Sequence, residues 1–411
     1  MRFLKDKTCF VLLLTVLCLA LGVQASKAWA DKKVVKLGFV ADITGPGFLI
    51  ALSQKNALEL GTEEINSTGG LLGKKVELVM RDSQLKPEMG AALARELIFK
   101  EKVDFLVGPT SSAVAQAVSQ VCKENKKLIY FHGANNDSLI DEQGHRYLFQ
   151  VTPNTYMEGQ AIALFLSKKP YRRIAIIGPN IEYGTSQARA FKKKLAELVP
   201  SAVIVKEIWT KLGEQDYSPA IAALQFSRPE IIYTSLWSGD LAGFIRQAKG
   251  SGFLQQVRLI GLLDYDLLKG LGNDMVPNLI GFDRAPFYGM QNPQMKAFVE
   301  KYKARTGEFP SEWSCTVYDG LMALRKAVEK AGTLDTEKVI GALEGLQWDS
   351  LRGPLYIRPF DHMANCGLYF GLTHKDPKYS FYIMKDVTYI PGQEIWRSVE
   401  EIKNLRRQEG K

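Results

Sequence analysis

The sequence predicts an α/β protein that contains two doubly wound parallel sheets. Short runs rich in β-branched residues alternate with longer amphipathic runs, and this alternation runs through the chain twice. Strict alternation of strand and helix is typical of parallel sheets that carry helices on both faces. In such sheets a ligand binds beyond the carboxyl ends of the strands, so a site is expected in the loops that follow them.

The first thirty residues predict a cleavable export signal. The segment begins with basic residues, continues with the apolar run Cys9–Val23, and ends with the small residues of "AWA" at 28–30. The apolar run is too short and too early for a typical membrane span, although an uncleaved anchor stays open as an alternative. Cleavage after Ala30 would release the chain into an oxidising compartment and leave a length sufficient for two domains.

Charge patterning argues against a nucleic-acid partner. The formal net charge is +9, but the basic residues are scattered, apart from short clusters such as "KKK" at 192–194 and the C-terminal "NLRRQEGK". A nucleic-acid surface would group basic residues with aromatic ones. These clusters therefore indicate solvated faces, and no nucleic-acid partner is expected.

Cysteine and histidine spacing argues against a metal site. The four histidines are spread along the chain, and no pair of cysteines has the spacing of zinc ligands. Three cysteines, Cys122, Cys315 and Cys366, remain after the signal is removed. We expect buried free thiols, with a Cys315–Cys366 disulfide left open. Neither a metal nor another cofactor is predicted.

The first half of the pattern contains four predicted strands. They are the apolar runs "VVKLGFV" at 34–40, "VELVM" at 76–80, "DFLVG" at 104–108 and "LIYF" at 128–131. Between the last two, Val114, Ala117, Val118 and Val121 recur at helical spacing and predict one buried face of a helix.

The pattern restarts after "VTPN" at 151–154. Four further strands are predicted, "RIAIIGP" at 173–179, "AVIVKEI" at 202–208, "EIIYTSL" at 230–236 and "VRLIGLL" at 257–263, with helical segments between them. Helices are also predicted within 292–307 and 317–332. The tail from Leu355 mixes strand-like pieces with Pro and Gly, and its composition suits completion of either sheet.

The loop after the first strand matches a phosphate-binding loop only in part. In "KLGFVADITGPGF" at 36–48, Gly45 and Gly47 supply two glycines, but Ile50 stands where the dinucleotide fingerprint requires the third. The segment "STGGLLGKK" at 67–75 lacks the first glycine of a phosphate loop and the Ser or Thr that follows its lysine. It indicates the end of a helix instead. A nucleotide-binding enzyme is therefore not predicted.

The loop "VGPTSSAVAQAV" at 107–118 is a candidate anion site. Thr110, Ser111 and Ser112 lie where a predicted strand ends and a helix begins, so free amides, the helix dipole and hydroxyl groups converge there. These groups suit a ligand carboxylate. Helix capping explains the same residues equally well, because Ser and Thr are favoured N-caps, and the sequence leaves both interpretations open.

Other strand ends carry further candidates. Gly133 and Asn135 follow the fourth strand, where Asn135 either donates to a ligand oxygen or fixes a turn. Tyr183 follows the first strand of the second half. The next strand ends, 236–240 and 261–266, contain Trp237, Asp264 and Asp266.

The loops, in this order, resemble the leucine/isoleucine/valine-binding branch of the type I periplasmic binding proteins, the substrate-binding proteins of ABC importers. The resemblance covers nearly the whole mature chain. It is carried by six colinear segments: "KLGFVADITGPG", "EEINSTGGLLGKKVELVMRDSQLKP", "VDFLVGPTSSAVAQAV", "EYGTSQARAF", "GEQDYSPAIAAL" and "YDGLMALRKAVEKAG". Each segment is weakly diagnostic alone, and the ordered set is specific.

The resemblance implies two lobes, joined by a three-strand hinge, that close on a small ligand. We place the crossings near Val151–Asn154, near Asp283–Phe287 and shortly after Gly353. Lobe 1 then comprises residues 31–152 and 285–354. Lobe 2 comprises residues 153–284 and 355–411, and the signal peptide comprises residues 1–30.

The resemblance also implies a ligand site. In this family the loops of lobe 1 hold the ligand carboxylate, and the matching positions here are Ser111, Ser112, Gly133 and Asn135. An aromatic residue of lobe 2, matched by Tyr183, packs on the ligand.

Several positions depart from the branched-chain amino-acid receptors. The first loop has Phe48 and Ile50 where a Tyr is usual, and the late loop has Trp313 where Tyr is also common. Asn135 of the carboxylate loops replaces a common Thr. Trp237 offers a second aromatic contact, and Asp264, shorter than the expected Glu, matches the partner of an α-amino group. The pocket is thus predicted to be more apolar and aromatic, which favours a bulkier or aromatic carboxylate, including one without an amino group.

The predicted function is a periplasmic solute-binding receptor. It would deliver a small carboxylate, such as a branched-chain or aromatic amino acid, to the membrane permease of an ABC importer by hinge closure. The alternative is a ligand-sensing protein that presents an amide, urea or an aromatic acid to a separate sensor. An enzyme is least favoured, because Ser186 in "GTSQA" lacks the second glycine of a nucleophile elbow and no motif supplies a histidine.

Overall fold

The strands of this protein form two separate large sheets, each covered by helices. The computed structural model describes residues 34–409, and the predicted signal peptide, residues 1–30, lies outside them. The central strands of each sheet are almost fully buried, as Phe39, Phe105 and Tyr233 illustrate. Burial on both faces explains why these strands are continuous apolar runs rather than alternating ones.

The first sheet is built from the N-terminal part of the chain. Its strands are β1 (Val34–Ala41), β2 (Lys75–Asp82), β3 (Phe105–Val107), β4 (Ile129–Phe131) and β5 (Leu148–Gln150). The helices between them are α1 (Phe48–Ser67), α2 (Pro87–Phe99), α3 (Ser112–Glu124) and α4 (Asp137–Asp141). All pairs are parallel, in the order β2-β1-β3-β4-β5. The four predicted strands are present, and β5 was missed because Gln150 interrupts its short apolar run.

The second sheet begins after the first crossing. Its parallel strands are β6 (Arg173–Pro179), β7 (Val203–Thr210), β8 (Ile231–Thr234), β9 (Arg258–Leu262) and β10 (Ile280–Asp283). Its helices are α5 (Thr155–Ser167), α6 (Glu182–Leu198), α7 (Ser218–Ser227), α8 (Ser238–Gly250), α9 (Phe253–Gln256) and α10 (Tyr265–Leu271).

After β10 the chain returns to the first sheet. This return comprises α11 (Pro293–Thr306), α12 (Glu312–Ala331), α13 (Thr336–Leu343) and the hairpin of β11 (Gln347–Ser350) and β12 (Gly353–Tyr356). Helix α12 packs on α1, where the hydroxyls of Ser53 and Ser314 lie 2.5 Å apart. A Cβ at Gly320 would lie 2.4 Å from the ring of Tyr130, so α12 approaches β4 closely only because it has glycine there.

The tail completes the second sheet. Strands β13 (Leu368–Lys375) and β14 (Tyr382–Ile390) add to β10 as antiparallel neighbours, which gives the order β14-β13-β10-β9-β8-β6-β7. The sequence left open which sheet the tail completes. The α/β class and the largely parallel sheets agree with the prediction.

After β14 the chain crosses between the two sheets a fourth time, and this crossing was not predicted. The last helix, α14 (Val399–Glu409), lies against α4 of the first sheet. Just before it, Arg397 donates to Asp137 at 2.6 Å and to Asp141 at 2.7 Å, and Arg406 donates to the Asp141 carbonyl at 2.9 Å. The prediction assigned 355–411 to lobe 2, whereas α14 contacts the first sheet through Arg406, on backbone carbonyls of α4, and through the preceding Arg397, on the carboxylates of α4. The lobe limits stay predictions.

Three further observations bear on function. Within residues 34–409, no helix combines the length and apolar character that a membrane crossing requires. The same residues contain no group of three or more His, Cys, Asp or Glu side chains placed to hold a metal ion. Cys122, Cys315 and Cys366 are buried free thiols.

Candidate ligand-binding site

A cavity of about 330 Å³ lies between the carboxyl ends of the two sheets. Loops after β1, β2, β3 and β4 line one side of it, and the ends of β6, β7, β8 and β9 line the other. The start of α12 completes the wall. Because ligands of doubly wound sheets bind beyond the carboxyl ends of the strands, this cavity is the candidate site.

Eight of the ten predicted site residues line this cavity. They are Ile50, Ser111, Ser112, Gly133, Asn135, Tyr183, Trp237 and Trp313. Phe48 and Asp264 are not part of the lining. Phe48 is 48% exposed outside it, and Asp264 is a buried N-cap of α10 that accepts from the Leu267 amide at 2.8 Å. The structure brings the eight residues together, and their contact with a ligand stays a prediction.

Ser111 and Ser112 have different roles at the start of α3. The Ser111 oxygen accepts from the Val114 amide at the long distance of 3.5 Å, and the Ser111 amide donates to the Asp42 carboxylate at 2.8 Å. Ser111 is therefore an N-cap. Within residues 34–409, no protein acceptor takes the amides of Ser112 and Ala113, which both line the cavity. These amides and the Ser112 hydroxyl are the donors that α3 offers to a ligand.

Asp42, which the sequence analysis did not single out, is a carboxylate in the cavity wall. It is 1% exposed and accepts from the Thr110 amide at 3.1 Å, from the Ser111 amide and from the Ser83 hydroxyl. Burial raises the pKa of this carboxyl above its usual value, and the hydrogen bonds partly oppose the shift. Its position directly after a predicted strand is the one feature of the sequence that could have identified it as a site residue. This feature is weak, because acids at such positions are usually solvated.

A buried ion-pair network lies next to the cavity. Arg284 is 1% exposed and donates to Glu158 at 2.5 and 2.8 Å. Its guanidinium also donates to Glu312, whose carboxylate accepts from the Arg284 amide at 2.9 Å. Asn135 donates to Glu158 at 3.1 Å, so this network positions the amide of a cavity residue. Sequence analysis missed the network because its members lie far apart along the chain.

Trp313 connects the cavity wall to the same network. Its indole N–H donates to Asp264 at 3.2 Å, and the Arg284 guanidinium lies 5.1 Å from the centre of its ring. Burial, reinforced by repulsion from Glu312, raises the pKa of Asp264 to about 6. Asp264 thus orients Trp313, and its position does not support the predicted contact with a ligand amino group.

Tyr183 is oriented by the side chain of Gln187. The Gln187 amide lies 3.4 Å from the Tyr183 hydroxyl and also donates to Glu158, while the Tyr233 hydroxyl donates to Gln187. Burial raises the pKa of the Tyr183 hydroxyl above its usual value, so this group is neutral at physiological pH. With Trp237 and Trp313, Tyr183 gives the cavity three aromatic side chains.

Known proteins resemble this chain in sequence. A family model described as periplasmic binding protein matches residues 34–375. The leucine-, isoleucine-, valine-, threonine-, and alanine-binding protein of Pseudomonas aeruginosa is 23% identical over 349 residues, which cover 83% of this chain and 90% of that protein.

Two solved structures from Rhodopseudomonas palustris have a similar fold. An ABC-type branched-chain amino acid transporter of strain CGA009 superposes with a TM-score of 0.75 at 24% identity, over 89% of this chain and 99% of that chain. A solute binding protein of an ABC transporter from strain BisB5, in complex with 3,4-dihydroxybenzoic acid, superposes with a TM-score of 0.79 at 22% identity, over 88% of this chain and 97% of that chain.

Proposed function

The chain belongs to the periplasmic binding protein family, and on this premise we propose that it is the solute receptor of an ABC importer. Its ligand would be a small carboxylate, such as an amino acid with a branched-chain or aromatic side chain. Relatives support this range, since the Pseudomonas protein is named for five amino acids and the strain BisB5 structure contains an aromatic acid. The receptor would act in the periplasm, after export directed by residues 1–30, and deliver its ligand to a membrane permease.

The observation that carries the proposal is the cavity lining, to which the strand ends of both sheets contribute. A ligand there would contact Ser112 from the first sheet and Tyr183 or Trp237 from the second. Contacts from both sides stabilise the arrangement in which the two sides are close together. This is the physical basis of ligand-induced hinge closure.

For the moving bodies we propose residues 34–152 with 285–366 as lobe 1, since the segment up to Ala364 pairs with Gln150 of β5, and residues 153–284 with 367–390 as lobe 2. Helix α14 is added to lobe 1 because Arg406 within it and Arg397 just before it contact α4. The network of Glu158, Arg284 and Glu312 lies beside the first two crossings, where it restrains the chain as it passes between the sheets.

The start of α3 supports binding of a carboxylate. The amides of Ser112 and Ala113 and the Ser112 hydroxyl face a cavity whose other walls are largely apolar or aromatic. Amides at a helix N-terminus favour an anion through both hydrogen bonds and the helix dipole. The apolar walls would enclose the remainder of the ligand.

We propose no catalytic activity for this protein. Ser186, the residue of the incomplete nucleophile motif, is 2% exposed and its hydroxyl donates to the Tyr183 carbonyl at 3.4 Å. Among the described residues that line the cavity, none is a histidine or a cysteine. Turnover of a small carboxylate by the purified protein would contradict this part of the proposal.

The proposal is tested by screening the purified protein for ligand-induced thermal stabilisation. The probes are amino acids, aromatic carboxylates, short amides and urea. A ligand that binds the native state at a hundredfold excess over Kd stabilises it by about 2.7 kcal/mol, which raises Tm. A ligand found in this way should also reduce the radius of gyration in small-angle scattering. Binding without compaction would contradict hinge closure.

A further inference from the structure

The charged groups in the cavity wall are acidic. Of the described residues that line the cavity, Asp42 and Glu182 carry a formal charge, and none is Lys, Arg or His. Glu182 is exposed to solvent, whereas Asp42 is 1% exposed. The Asp42 carboxylate is therefore screened less by water and salt. A ligand that carries only negative charge would lie beside a buried carboxylate without a basic partner.

Asp42 also occupies part of the anion-binding end of α3. The amides of Thr110 and Ser111, which would otherwise face a ligand anion, donate to its carboxylate at 3.1 and 2.8 Å. The Ser83 hydroxyl fixes the other carboxylate oxygen. A Cβ at Gly47 would lie 2.9 Å from the Asp42 carbonyl oxygen, so the loop at 45–47 packs directly on this residue. Asp42 is thus a fixed anion that a ligand carboxylate does not displace.

The buried charges beside the cavity do not compensate for Asp42. One guanidinium, that of Arg284, faces the two carboxylates of Glu158 and Glu312. Its hydrogen bonds are directed at these carboxylates, and Arg284 is not part of the cavity lining. The positive charge of Arg284 is therefore neutralised within its own network.

The aromatic side chains of the cavity suit the same kind of ligand. Tyr183 and Trp237 line it without a protein cation over their rings among the described contacts, and the faces of such rings attract cations within about 6 Å. A buried carboxylate and aromatic rings around one cavity are complementary to a positively charged nitrogen with an apolar substituent.

We propose that Asp42 is a specificity-determining residue whose buried negative charge favours a positively charged nitrogen of the ligand at this wall of the cavity and so selects against acids without an amine. The inference rests on the proposed function, because it concerns the ligand of the same cavity. It gives Asp42 the role that the sequence analysis assigned to Asp264. The Ser111 amide, which binds Asp42, directly precedes the free amide of Ser112. An ammonium beside Asp42 and a carboxylate beside Ser112 would therefore be neighbours.

The test compares matched ligands that differ by the amine. Binding of L-phenylalanine and 3-phenylpropanoate, and of L-leucine and 4-methylpentanoate, is measured by titration calorimetry with the purified protein. In at least one pair the amine-bearing member should bind at least about tenfold more tightly. The variant Asp42→Asn keeps the size of the side chain and removes its charge, and should lose about tenfold of this preference. Glu197→Gln, which removes an exposed charge outside the cavity lining, should change the preference by less than about twofold.

Each outcome decides the matter. If neither pair shows the tenfold preference for its amine-bearing member, or if benzoate binds more tightly than both amino acids, the inference about Asp42 is wrong while the proposed function stands. An unchanged preference in folded Asp42→Asn also overturns it. If no probe in this panel or in the thermal screen binds, the proposed function fails, and the inference fails with it. The wild-type comparison needs no variant, so a misfolded Asp42→Asn protein leaves the test intact.

Discussion

Replacing Arg284 with Met should destabilise the protein more than any exposed ion-pair substitution. Arg284 is the one cation among the residues that contact Glu158 and Glu312 in the described chain, and both carboxylates have 0% exposed side chains. The methionine fills a similar space without charge, so the change leaves two desolvated carboxylates without their cation. The network would lose its central residue without a large cavity forming.

The expected loss of stability depends on how deeply the ion pair is buried rather than on the distance between its charged atoms. Breaking a buried ion pair by removing one partner costs about 3–5 kcal/mol, because the remaining charge stays desolvated. The exposed pair of Arg146 and Glu337 has a comparable separation of 2.6 Å, but its side chains are 48% and 50% exposed. Removal of such a pair costs about 0–1 kcal/mol. Arg146→Met is therefore the matched control.

The loss of stability caused by Arg284→Met should depend on pH in a defined direction. In the native protein burial raises the pKa of Glu158, and the positive charge of Arg284 opposes this rise. Without Arg284 the pKa in the folded state would rise further above the unfolded value. A group whose pKa is higher in the folded state than in the unfolded state stabilises the fold at low pH. This stabilisation is lost as pH rises through the pKa of the folded state. Arg284→Met should therefore be less destabilising at pH 5.5 than at pH 7.5.

Urea unfolding, followed by circular dichroism and tryptophan fluorescence at both pH values, measures these differences. The midpoint and slope give the free energy of unfolding for the wild type, Arg284→Met and Arg146→Met. If Arg284→Met lies within about 1 kcal/mol of the wild type at pH 7.5, the carboxylates are not held as an obligatory buried network. Equal destabilisation at both pH values would contradict the protonation argument.

Three further predictions concern the binding site, a buried histidine and the C-terminal helix. Ser112→Ala should weaken ligand binding by about 1–3 kcal/mol in calorimetry, whereas Ser111→Ala should cost about 1 kcal/mol of stability in urea unfolding and leave the free donors of α3 in place. Burial lowers the pKa of His132 to about 3, so the unfolded chain takes up a proton that the native state excludes as pH falls below about 6.5. Because of this histidine the wild type loses up to about 1.4 kcal/mol of stability per pH unit between pH 6.5 and 4.5, and His132→Phe should abolish that loss. An unchanged pH dependence of the free energy of unfolding, measured by urea unfolding, would refute this. Arg397→Met deletes the ion pairs to α4, including the contact with Asp141 at 2.7 Å, and should accelerate hydrogen exchange in α14; unaltered exchange would show that the helix is held otherwise.

Local patterns were sufficient to predict most of the sheets. The apolar runs at 34–40 and 173–179 became β1 and β6, because a strand buried on both faces leaves a continuous signal in neighbouring residues. The pattern failed for β5, whose short apolar run is interrupted by Gln150. It also failed to assign the tail, because pairing of β13 with β10 depends on which sheet edge is free rather than on local composition.

The candidate site was predictable to the extent that it follows from strand order. Ser112, Asn135, Tyr183 and Trp237 all lie directly after strands, and the carboxyl ends of parallel strands in each sheet meet at the same edge. The sequence therefore determined which loops form the cavity. It did not predict that Ser111 caps the helix while the amide of Ser112 stays free, because both residues are serines at the start of the same helix.

The burial of charges depends on the tertiary fold. Local sequence patterns were enough to predict the alternation of strands and helices, an export-like N-terminus and the loops of the site. The structure placed Asp42 on the amides of α3, joined Glu158 and Glu312 through Arg284, and left Asp264 out of the cavity lining. Periodicity is a property of neighbouring residues. The energy of a charge depends on its desolvation and on partners more than a hundred residues away, which are set only when the chain has folded.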